Sequence, residues 1–504
     1  MKNVLFLLVL TASLFFSCKE NPENDIITFK FIQVNDVYEI APLSGGKYGG
    51  MARVAHVSDS IKKETPNTFM FMAGDFLNPS LLGTIKIDGE RIYGKQMVEV
   101  MNAMDFDLVT FGNHEFDLKE KHLQKRLNES TFPWMSANTR HLVNGKKELF
   151  AIQKEKDTIS VSDTYKMNIK DANGNEINIG FLGVTIPSNP KEYVYYGDMY
   201  SESKRAYNEL KNDVDIVFGL THLEIEQDTE LLVQIPEIPL IMGGHEHNAM
   251  SVPVGNSKVT KADANAKTIY IHTLSYNTKT KELKIDSELF FIDNKIASEP
   301  KVEAIVNKWV SILDLKIKEV IDDPSEIIYS AKIPLDGTDS ASRSIQTNLG
   351  DIITEAMAWS YNNEVDAAIV NGGSIRIDDM LPPDLSSLDV FRILPFGGGI
   401  LKVKIKGKLL KEVLDFGKSK RGKGAYLQRY NITEGPKGEW LIGGKKVRDL
   451  KTYSVAFSDF LLKGYDIPFL TPDNKGIKNI YTPTEDEQAY DIRKTIILYL
   501  KSKK

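Results

Sequence analysis

Cysteine is almost absent from this sequence, and basic residues are not in excess. A single cysteine, Cys18, among 504 residues excludes a disulfide within the chain. Lysine and arginine number 63 against 69 aspartates and glutamates, a net charge of −6, so the composition gives no sign of a basic nucleic-acid-binding face. A length of 504 residues predicts two domains, because a single hydrophobic core seldom extends beyond about 250–300 residues.

The apolar run near the N-terminus, VLFLLVLTASLFF, is too short to cross a bilayer as a helix. Its length suits the apolar core of a secretory signal, and the polar KENPEND that follows argues against a buried N-terminal helix. The segment resembles a bacterial lipoprotein signal, in which the cysteine is lipidated, although Phe15 departs from the usual residue at position −3 and leaves simple secretion open. The resemblance implies a signal over residues 1–18, a tether over 19–25, and an exported protein, periplasmic or at the cell surface, anchored to the membrane through Cys18.

Five apolar, strand-like segments each lead into a residue that can bind a metal. Segments of helical period, such as GGMARVAHVSDSIKK, separate them, and strands that alternate with helices predict an α/β sheet covered on its faces. In open α/β sheets, catalytic groups gather on the loops at the carboxyl ends of the strands. The five segments are ITFKFIQVND, ending at Asp36; NTFMFMAGD, ending at Asp75; DLVTFGNHE, with Asn113 and His114; DIVFGLTH, ending at His222; and IPLIM, followed by GGHEHN with His245 and His247.

Two turns add detail to this α/β pattern. GGHEHN places two of only eight histidines one residue apart, and we expect Gly243 and Gly244 to turn the backbone sharply and present both rings from one loop. The turn DANGNE, between TYKMNIK and INIGFLGV, predicts a hairpin, so part of the sheet is expected to be antiparallel.

From about Pro300 the pattern changes. KVEAIVNKWVSILDLKIKEVI predicts one amphipathic helix, closed by DDPSE, and we interpret it as the connector between two domains. Beyond it, SIQTNLGDIITEAMAWSY and GKLLKEVLDFGKS have helical periods and VDAAIV is strand-like. The chain is therefore expected to divide into a first domain over residues 26–299, a linker helix over 300–325 and a second domain over 326–504.

The residues at the five strand ends share one kind of chemistry. Carboxylate, amide and imidazole donors without thiolate suit Zn, Mn or Fe. One carboxylate can bridge two ions, and two ions about 3.5–4 Å apart can activate water for in-line attack on phosphorus. Any one of these residues could be a cap or a turn, but six arriving in register favour a metal site.

Five short motifs resemble those of the calcineurin-like metallophosphatases, and specifically of the 5'-nucleotidase family. They are ND in VNDVY, GD in AGDF, GNHE in FGNHEFD, TH in LTHLE, and GHEH. The resemblance implies an N-terminal four-layer α/β sandwich and two divalent ions, the first held by Asp36 and His247, the second by Asn113, His222 and His245, with Asp75 between them. It also implies that His114 and Asp117 form a catalytic pair, in which the imidazole stabilises or protonates the departing oxygen and the carboxylate orients the ring.

Four motifs of the second half resemble the 5'-nucleotidase C-terminal substrate-binding domain, which is also α/β. In chain order they are RSIQTNLGD, NGGSIR, LPFGGG and SDFLLKGYD. The resemblance implies phosphate contacts from Arg343 and Arg376, a nucleobase stacked between Phe396 and Phe460, Asn371 at or near the base, and Asp466 at the ribose hydroxyls.

Two residues depart from the family pattern. Tyr465 replaces a glycine of the usual GGD and is expected to crowd or reshape the ribose end. Tyr38 stands where the common D-x-H motif has histidine, and two interpretations stay open: Tyr38 binds the first ion as a phenolate, or it packs beside the site.

The sequence predicts an exported enzyme that hydrolyses nucleoside 5'-monophosphates with two divalent ions, Zn, Mn or Fe. Its expected partner is a small nucleotide, not nucleic acid, and no protein partner can be inferred. Cyclic nucleotides, nucleotide sugars and dinucleotides remain alternative substrates. A surface nucleotide-binding protein with a decayed site is the alternative of another class, and the intact His114–Asp117 pair and GHEH argue against it.

Overall fold

A computed structural model describes residues 25–188, 191–319, 321 and 323–504 of the chain. The predicted signal, Cys18 and all of the predicted tether except Asp25 lie outside the described residues. Within the described part, no helix is long and apolar enough to cross a membrane.

The first half alternates strands and helices, as the sequence predicts. Its helices are α1 (Met51–Glu64), α2 (Leu81–Thr84), α3 (Lys95–Met104), α4 (Glu120–Glu129), α5 (Met199–Leu210), α6 (Ile225–Gln234) and α7 (Pro300–Lys318). Its strands are β1 (Ile26–Val34), β2 (Thr68–Met72), β3 (Lys86–Ile87), β4 (Glu90–Arg91), β5 (Leu108–Thr110), β6 (Trp134–Met135), β7 (Thr139–Val143), β8 (Lys146–Glu148), β9 (Ala151–Gln153), β10 (Thr158–Ser160), β11 (Thr164–Lys170), β12 (Glu176–Leu182), β13 (Val194–Tyr196), β14 (Ile216–Leu220), β15 (Leu240–Met242), β16 (Met250–Val254), β17 (Ser257–Lys261), β18 (Thr268–Asn277) and β19 (Leu283–Phe291).

Two six-stranded sheets form the centre of this half. The first has the order β19-β18-β1-β2-β5-β6 and the second the order β11-β12-β14-β15-β17-β16. In the first sheet β1, β2, β5 and β6 run parallel, and the antiparallel strands β18 and β19 complete one edge. In the second sheet β12, β14, β15 and β17 run parallel, and the antiparallel strands β11 and β16 form the two edges. The hairpin predicted at DANGNE is present as the antiparallel pair β11 and β12.

Side-chain alternation along the strands builds four layers. In β1, Phe29 and Phe31 point into a core shared with Phe181 and Phe218 of the second sheet, so the two sheets pack face to face. The next residue, Ile32, faces the other way and belongs to a different core, which the helices α1, α3 and α4 cover. On the far side, α5 and α6 cover the second sheet in the same way. The predicted four-layer α/β sandwich is confirmed.

The second half contains one five-stranded sheet with helices on both faces. The sheet order is β26-β22-β30-β25-β31, and its two faces pack against α11 and against α9 with α12. The helices are α8 (Asp339–Ser342), α9 (Asn348–Trp359), α10 (Ser387–Ile393), α11 (Gly407–Ser419) and α12 (Ile492–Lys501). The strands are β20 (Ile327–Ser330), β21 (Leu335–Asp336), β22 (Ala367–Asn371), β23 (Met380–Leu381), β24 (Asp384–Ser386), β25 (Ile400–Lys406), β26 (Leu427–Tyr430), β27 (Ile432–Glu434), β28 (Trp440–Ile442), β29 (Lys445–Lys446), β30 (Thr452–Ser458) and β31 (Ile477–Tyr481).

The connecting helix α7 is anchored to the first half. Its buried face, which includes Val302 and Trp309, packs on α1 and α3, and Trp309 donates a hydrogen bond of 2.9 Å to Glu99 of α3. The same apolar core continues past the helix to Ile328 and Leu349. The helix therefore belongs structurally to the first half, and it brings the second half against the strand ends where the polar residues lie.

Candidate active site

The six predicted metal ligands follow the carboxyl ends of β1, β2, β5, β14 and β15, and the face-to-face packing of the two sheets brings these ends together. Asp36, Asp75 and His247 each contribute one potential ligand atom, and these atoms lie within 4.8 Å of one another. Asp36 Oδ1 is 3.3 Å from His247 Nε2. These three residues are the set that the resemblance assigns to the first ion.

A second group of predicted ligands also lies beside the Asp75 carboxylate. His222 Nε2 is 3.2 Å from Asp75 Oδ2, and the rings of His222 and His245 meet edge to face at 5.3 Å. Asn113 ends the loop after β5, where the backbone N–H of its neighbour His114 donates to Asp75 Oδ1 at 2.7 Å. Asp75 thus lies beside residues of both groups, and its predicted role as a bridging ligand stays a prediction.

The loops that carry these ligands are held in an unfavourable backbone conformation. Asp36, Asp75, His245 and His247 have φ angles of 52°, 56°, 96° and 63°, in the left-handed region that residues other than glycine rarely adopt. Each costs on the order of 1–3 kcal/mol and persists only where the surroundings enforce it. Such strained residues cluster at functional sites, so the backbone itself marks this position in the fold.

The expectation that glycines make the turn in GGHEHN is wrong. The positive φ angles belong to the two histidines, whereas Gly243 and Gly244 are outside that region. Gly244 is needed for a different reason: an added Cβ would lie 2.4 Å from the carbonyl oxygen of Ala73 and 2.8 Å from Nδ1 of His222. Without a side chain at Gly244, the GGHEHN loop can lie in contact with Ala73 and His222, which belong to two other ligand loops.

Three atoms of the site that could ligate a metal are buried without a hydrogen-bond partner in the described protein. They are Asp36 Oδ1, Asn113 Oδ1 and His222 Nε2. Leaving such an atom unsatisfied costs about 1–3 kcal/mol, so three together need a common explanation. His222 Nδ1 lies 2.8 Å from the Ala73 carbonyl oxygen, which can only accept, so Nδ1 carries a proton and Nε2 is the ring nitrogen that faces the site. These oxygen and nitrogen atoms are ligands that suit a divalent cation.

The charges of the site also suit a cation. Burial opposes ionisation, but the nearby histidines, His222 foremost, hold the pKa of Asp36 and of Asp75 below the usual range for aspartate. Burial and the positive charge of His222 lower the pKa of His245 to about 3, so this imidazole is neutral, as a metal ligand must be.

The predicted catalytic pair is assembled by a short 3₁₀ turn over His114–Asp117. Residues three apart eclipse one another in a 3₁₀ helix, and His114 Nδ1 therefore lies 2.6 Å from Asp117 Oδ2. Asn78 donates a further hydrogen bond of 3.3 Å to the same carboxylate oxygen. With Nδ1 engaged, Nε2 is the ring nitrogen that His114 can offer to a substrate.

Sequence reasoning missed Glu115, which is fully buried directly beneath this pair. Its carboxylate accepts backbone N–H groups from Asp75, Phe76, Leu77 and Gly112, at 2.6–3.0 Å. Glu115 thus ties the loop after β2 to the loop after β5. Its position as the last residue of GNHE was the available signal, but only the fold reveals which amides it binds.

Tyr38 lies inside the first group. Its hydroxyl is 3.0 Å from His247 Nε2 and donates to Asp75 Oδ2 at 3.2 Å. Burial, followed by the carboxylates of Asp75 and Asp36, raises the pKa of Tyr38 well above its usual value, so the phenol is neutral in this environment. Two ligands of one ion, each about 2.0–2.2 Å from it in a tetrahedral site, lie about 3.4 Å apart. The hydroxyl is therefore close enough to serve as a ligand or as a hydrogen-bond donor to the ligands.

The second half places two arginines towards this site. Burial and the positive charge of nearby Arg343 lower the pKa of Arg376, and the carboxylate of Asp117 opposes that change. The Nε atoms of both arginines are buried without a partner in the described protein, although Arg343 forms an ion pair with Asp339. Two guanidinium groups with donors to spare suit an anion such as phosphate.

The remaining predicted substrate residues form a polar pair and an aromatic surface. Asn371 donates to Asp466 Oδ2 at 2.7 Å and accepts from Ser374 at 2.6 Å, so Asn371 orients the carboxylate of Asp466. Phe396 is 50% exposed, an unusual placement for a large apolar ring. Phe460 is half-buried, and the ring of Tyr465, 75% exposed, lies beside it at 5.9 Å.

Comparisons with known proteins match each half of the chain to a family model. A model of the family described as calcineurin-like phosphoesterase matches residues 29–249, and one described as 5'-nucleotidase, C-terminal domain matches residues 327–471. The 5'-nucleotidase of Bos taurus is 25% identical over 478 residues, covering 83% of this chain and 78% of its own. A snake venom 5'-nucleotidase from Naja atra is 26% identical over 484 residues, covering 83% and 85%.

A solved structure shares the fold over nearly the whole length. The crystal structure of a 5'-nucleotidase precursor from Thermus thermophilus has a TM-score of 0.74 and 21% identity, and the match covers 95% of this chain and 97% of that one. The calcineurin-like fold implies that the first half binds divalent metal.

Divalent metal should stabilise the protein against heat, because the buried donors gain a partner. A ligand that binds only the folded state at 100 times its Kd contributes about 2.7 kcal/mol. We expect Zn²⁺ or Mn²⁺ to raise the Tm of metal-stripped protein in calorimetry, and His222→Ala to reduce that rise. His56→Ala, which removes an exposed histidine of α1, is the control and should respond like the wild type. A Tm that metal does not change would contradict the site.

Substitution of Tyr38 should separate the two interpretations of this residue. If the neutral phenol only packs and donates a hydrogen bond, Tyr38→Phe should keep both ions, and Tyr38→His should tighten the first site because imidazole is the better ligand. Metal content after gel filtration measures both effects. Loss of one ion from Tyr38→Phe would instead identify the tyrosine as a ligand.

Proposed function

This chain is a metallophosphoesterase-type hydrolase with the two-domain architecture of the 5'-nucleotidase family, and we propose that it hydrolyses nucleoside 5'-monophosphates to nucleoside and inorganic phosphate. Two features together carry the proposal. Asp36 Oδ1, Asn113 Oδ1 and His222 Nε2 are buried without a hydrogen-bond partner in the described protein, and so are the Nε atoms of Arg343 and Arg376. Arg376 lies near enough to Asp117 and Tyr38 of the first half for their charges to affect its pKa. A metal site opposite a phosphate site is what phosphoester hydrolysis requires.

The metal ligands in this proposal follow the two groups around Asp75. Asp36 and His247 would hold the first ion, Asn113, His222 and His245 the second, and Asp75 would contact both. Bound there, two divalent ions, Zn, Mn or Fe, would supply Lewis acidity that polarises the phosphate ester and activates water.

His114 and Asp117 handle the proton of the reaction in this proposal. The hydrogen bond from Nδ1 to Asp117 holds the ring in one orientation, so Nε2 can donate to the oxygen that leaves the phosphorus. Arg343 and Arg376 orient the phosphate from the opposite side, and a guanidinium keeps its charge even where burial lowers its pKa.

The nucleoside is recognised by the second half. Phe396 and Phe460 present ring faces on which any nucleobase can stack, and Asp466, oriented by Asn371, accepts hydrogen bonds from the ribose hydroxyls. One observation favours a larger substrate as a second candidate: the exposed ring of Tyr465 extends the aromatic surface beside Phe460, where a dinucleotide would find a second stacking partner. Relative kcat/KM values for a monophosphate and a dinucleotide separate the two.

The proposal also includes the export signal, the tether and the domain limits that the sequence predicts. Residues 1–18 would act as an export signal, with lipidation at Cys18, and residues 19–25 as a tether to the membrane. The domain limits proposed for the remainder are 26–299, 300–325 and 326–504. The polar composition of KENPEND supports the tether.

Loss of the His114 imidazole should slow the reaction without emptying the metal site. We expect His114→Ala to lower kcat for AMP by about 10²–10⁴, the usual effect of removing a positioned acid or base, with unchanged metal content. Steady-state kinetics and elemental analysis of the same sample test both parts, with His56→Ala as control. Normal turnover would remove His114 from the mechanism.

Loss of either stacking ring should impair nucleotides selectively. Phe396→Ala and Phe460→Ala should each raise the KM for AMP by about 5- to 150-fold, which corresponds to about 1–3 kcal/mol per stacked base. Hydrolysis of p-nitrophenyl phosphate, which has no nucleobase, should hardly change. Phe291→Ala removes a ring of β19 that is 66% exposed and serves as the control. Equal losses on both substrates would show that the rings are structural.

A further inference from the structure

One short segment of the second half makes polar contacts with the metal-binding end of the first half. Asp378 Oδ2 lies 2.5 Å from Nδ1 of His247, a candidate ligand of the first ion. The adjacent Asp379 forms an ion pair of 3.2 Å with Lys267 and accepts a hydrogen bond from Ser44. Two neighbouring carboxylates of the second half thus bind residues of the first half, but of the two only Asp378 contacts a candidate metal ligand.

Both ring nitrogens of His247 have defined partners. The Asp378 carboxylate accepts a hydrogen bond from Nδ1, and Nε2 faces the Tyr38 hydroxyl at 3.0 Å and Asp36 Oδ1 at 3.3 Å. The backbone of His247 has a φ of 63° outside any regular element, so no helix or strand fixes the direction of the ring. Hydrogen-bond partners orient the ring instead. The Tyr38 hydroxyl lies 3.0 Å from Nε2 and Asp378 binds Nδ1, and of these two only Asp378 belongs to the second half.

The histidines of the two groups are oriented by residues from different parts of the chain. His222, of the second group, is oriented by the backbone carbonyl of Ala73, which follows β2 in the same half of the chain. His247, of the first group, is oriented by a residue 131 positions away in the other half. The second group is therefore complete within the first half, whereas the first group is not.

The contact also extends towards the substrate side. Asp378 Oδ1 accepts the backbone N–H of Asp339 at 2.7 Å, and the carboxylate of Asp339 pairs with Arg343. A continuous polar chain links a candidate metal ligand to a candidate phosphate arginine. Outer partners of ligating histidines commonly change metal affinity about 10- to 100-fold when removed.

We propose that Asp378 is a positioning residue through which the second half completes the first metal site. The inference rests on the metal assignment of the proposed function. The first ion binds tightly only when the two halves adopt the relative position seen here, and the second ion binds independently of that position. Because linkage is reciprocal, an ion at the first site stabilises this arrangement of the halves.

Metal titration of the full chain tests this proposal without any substrate. In calorimetric titrations of metal-stripped protein with Zn²⁺, Asp378→Asn should weaken the first site by about 10- to 100-fold and leave the second unchanged. Asp379→Asn is the matched control, since it removes a carboxylate of the same segment and an ion pair between the same halves. It should bind both ions like the wild type. Wild-type binding by Asp378→Asn, or equal weakening by Asp379→Asn, would overturn the proposal.

A double-mutant cycle shows whether Asp378 acts through His247. Asp378→Asn should have no further effect on Zn²⁺ affinity when His247 is already alanine, because the residue that it positions is gone. Additive losses would mean a general structural role and overturn the proposal. Failure of the proposed function is distinguishable, since a chain with this metal behaviour that hydrolyses no nucleotide would refute the activity and not the positioning role.

Discussion

The buried carboxylate of Asp75 is the point on which the rest of the site depends. Its two oxygens meet the backbone of His114, the ring of His222 and the hydroxyl of Tyr38, so residues from three loops converge on one group. A buried carboxylate is unfavourable unless positive charge and hydrogen bonds compensate for the lost hydration. The polar residues at the other strand ends provide that compensation, and together they bring oxygen and nitrogen atoms that suit a divalent cation to one place.

The architecture explains why these residues can be held so closely. Two parallel-centred sheets packed face to face bring the carboxyl ends of strands from both sheets to one edge, although the strands are far apart in the chain. The dense aromatic core between the sheets, with Phe31 at 4.9 Å from Phe71 and 5.2 Å from Phe218, restricts movement of one sheet against the other. That rigidity allows Asp36, Asp75, His245 and His247 to keep backbone angles that a mobile loop would relax.

The division of labour between the halves follows from the same geometry. The first half contributes metal ligands and the pair His114 and Asp117, whereas the second contributes guanidinium groups and exposed aromatic rings. In the proposed function a substrate that needs both lies between them, and the bond between Asp378 and His247 joins the second half to a candidate metal ligand of the first. The relative position of the two halves is therefore part of the proposed mechanism.

Much of this arrangement was determined by the sequence alone, because strand and helix periods and strand-end polar residues are local signals. The runs before Asp36 and Asp75 predicted strands that the structure contains, and the resemblance carried by FGNHEFD implied a pair of His114 and Asp117 that a single 3₁₀ turn brings together. Tertiary structure alone decided the features that depend on contacts between distant segments. Gly244 leaves room for Ala73 and His222, which belong to two other loops. Glu115 binds backbone amides of two loops, and Asp378 contacts His247 because the second half packs against the first. Periodicity reports which side of its own strand or helix a residue faces, but not which distant surface that side will meet, and these three roles exist only where two such surfaces touch.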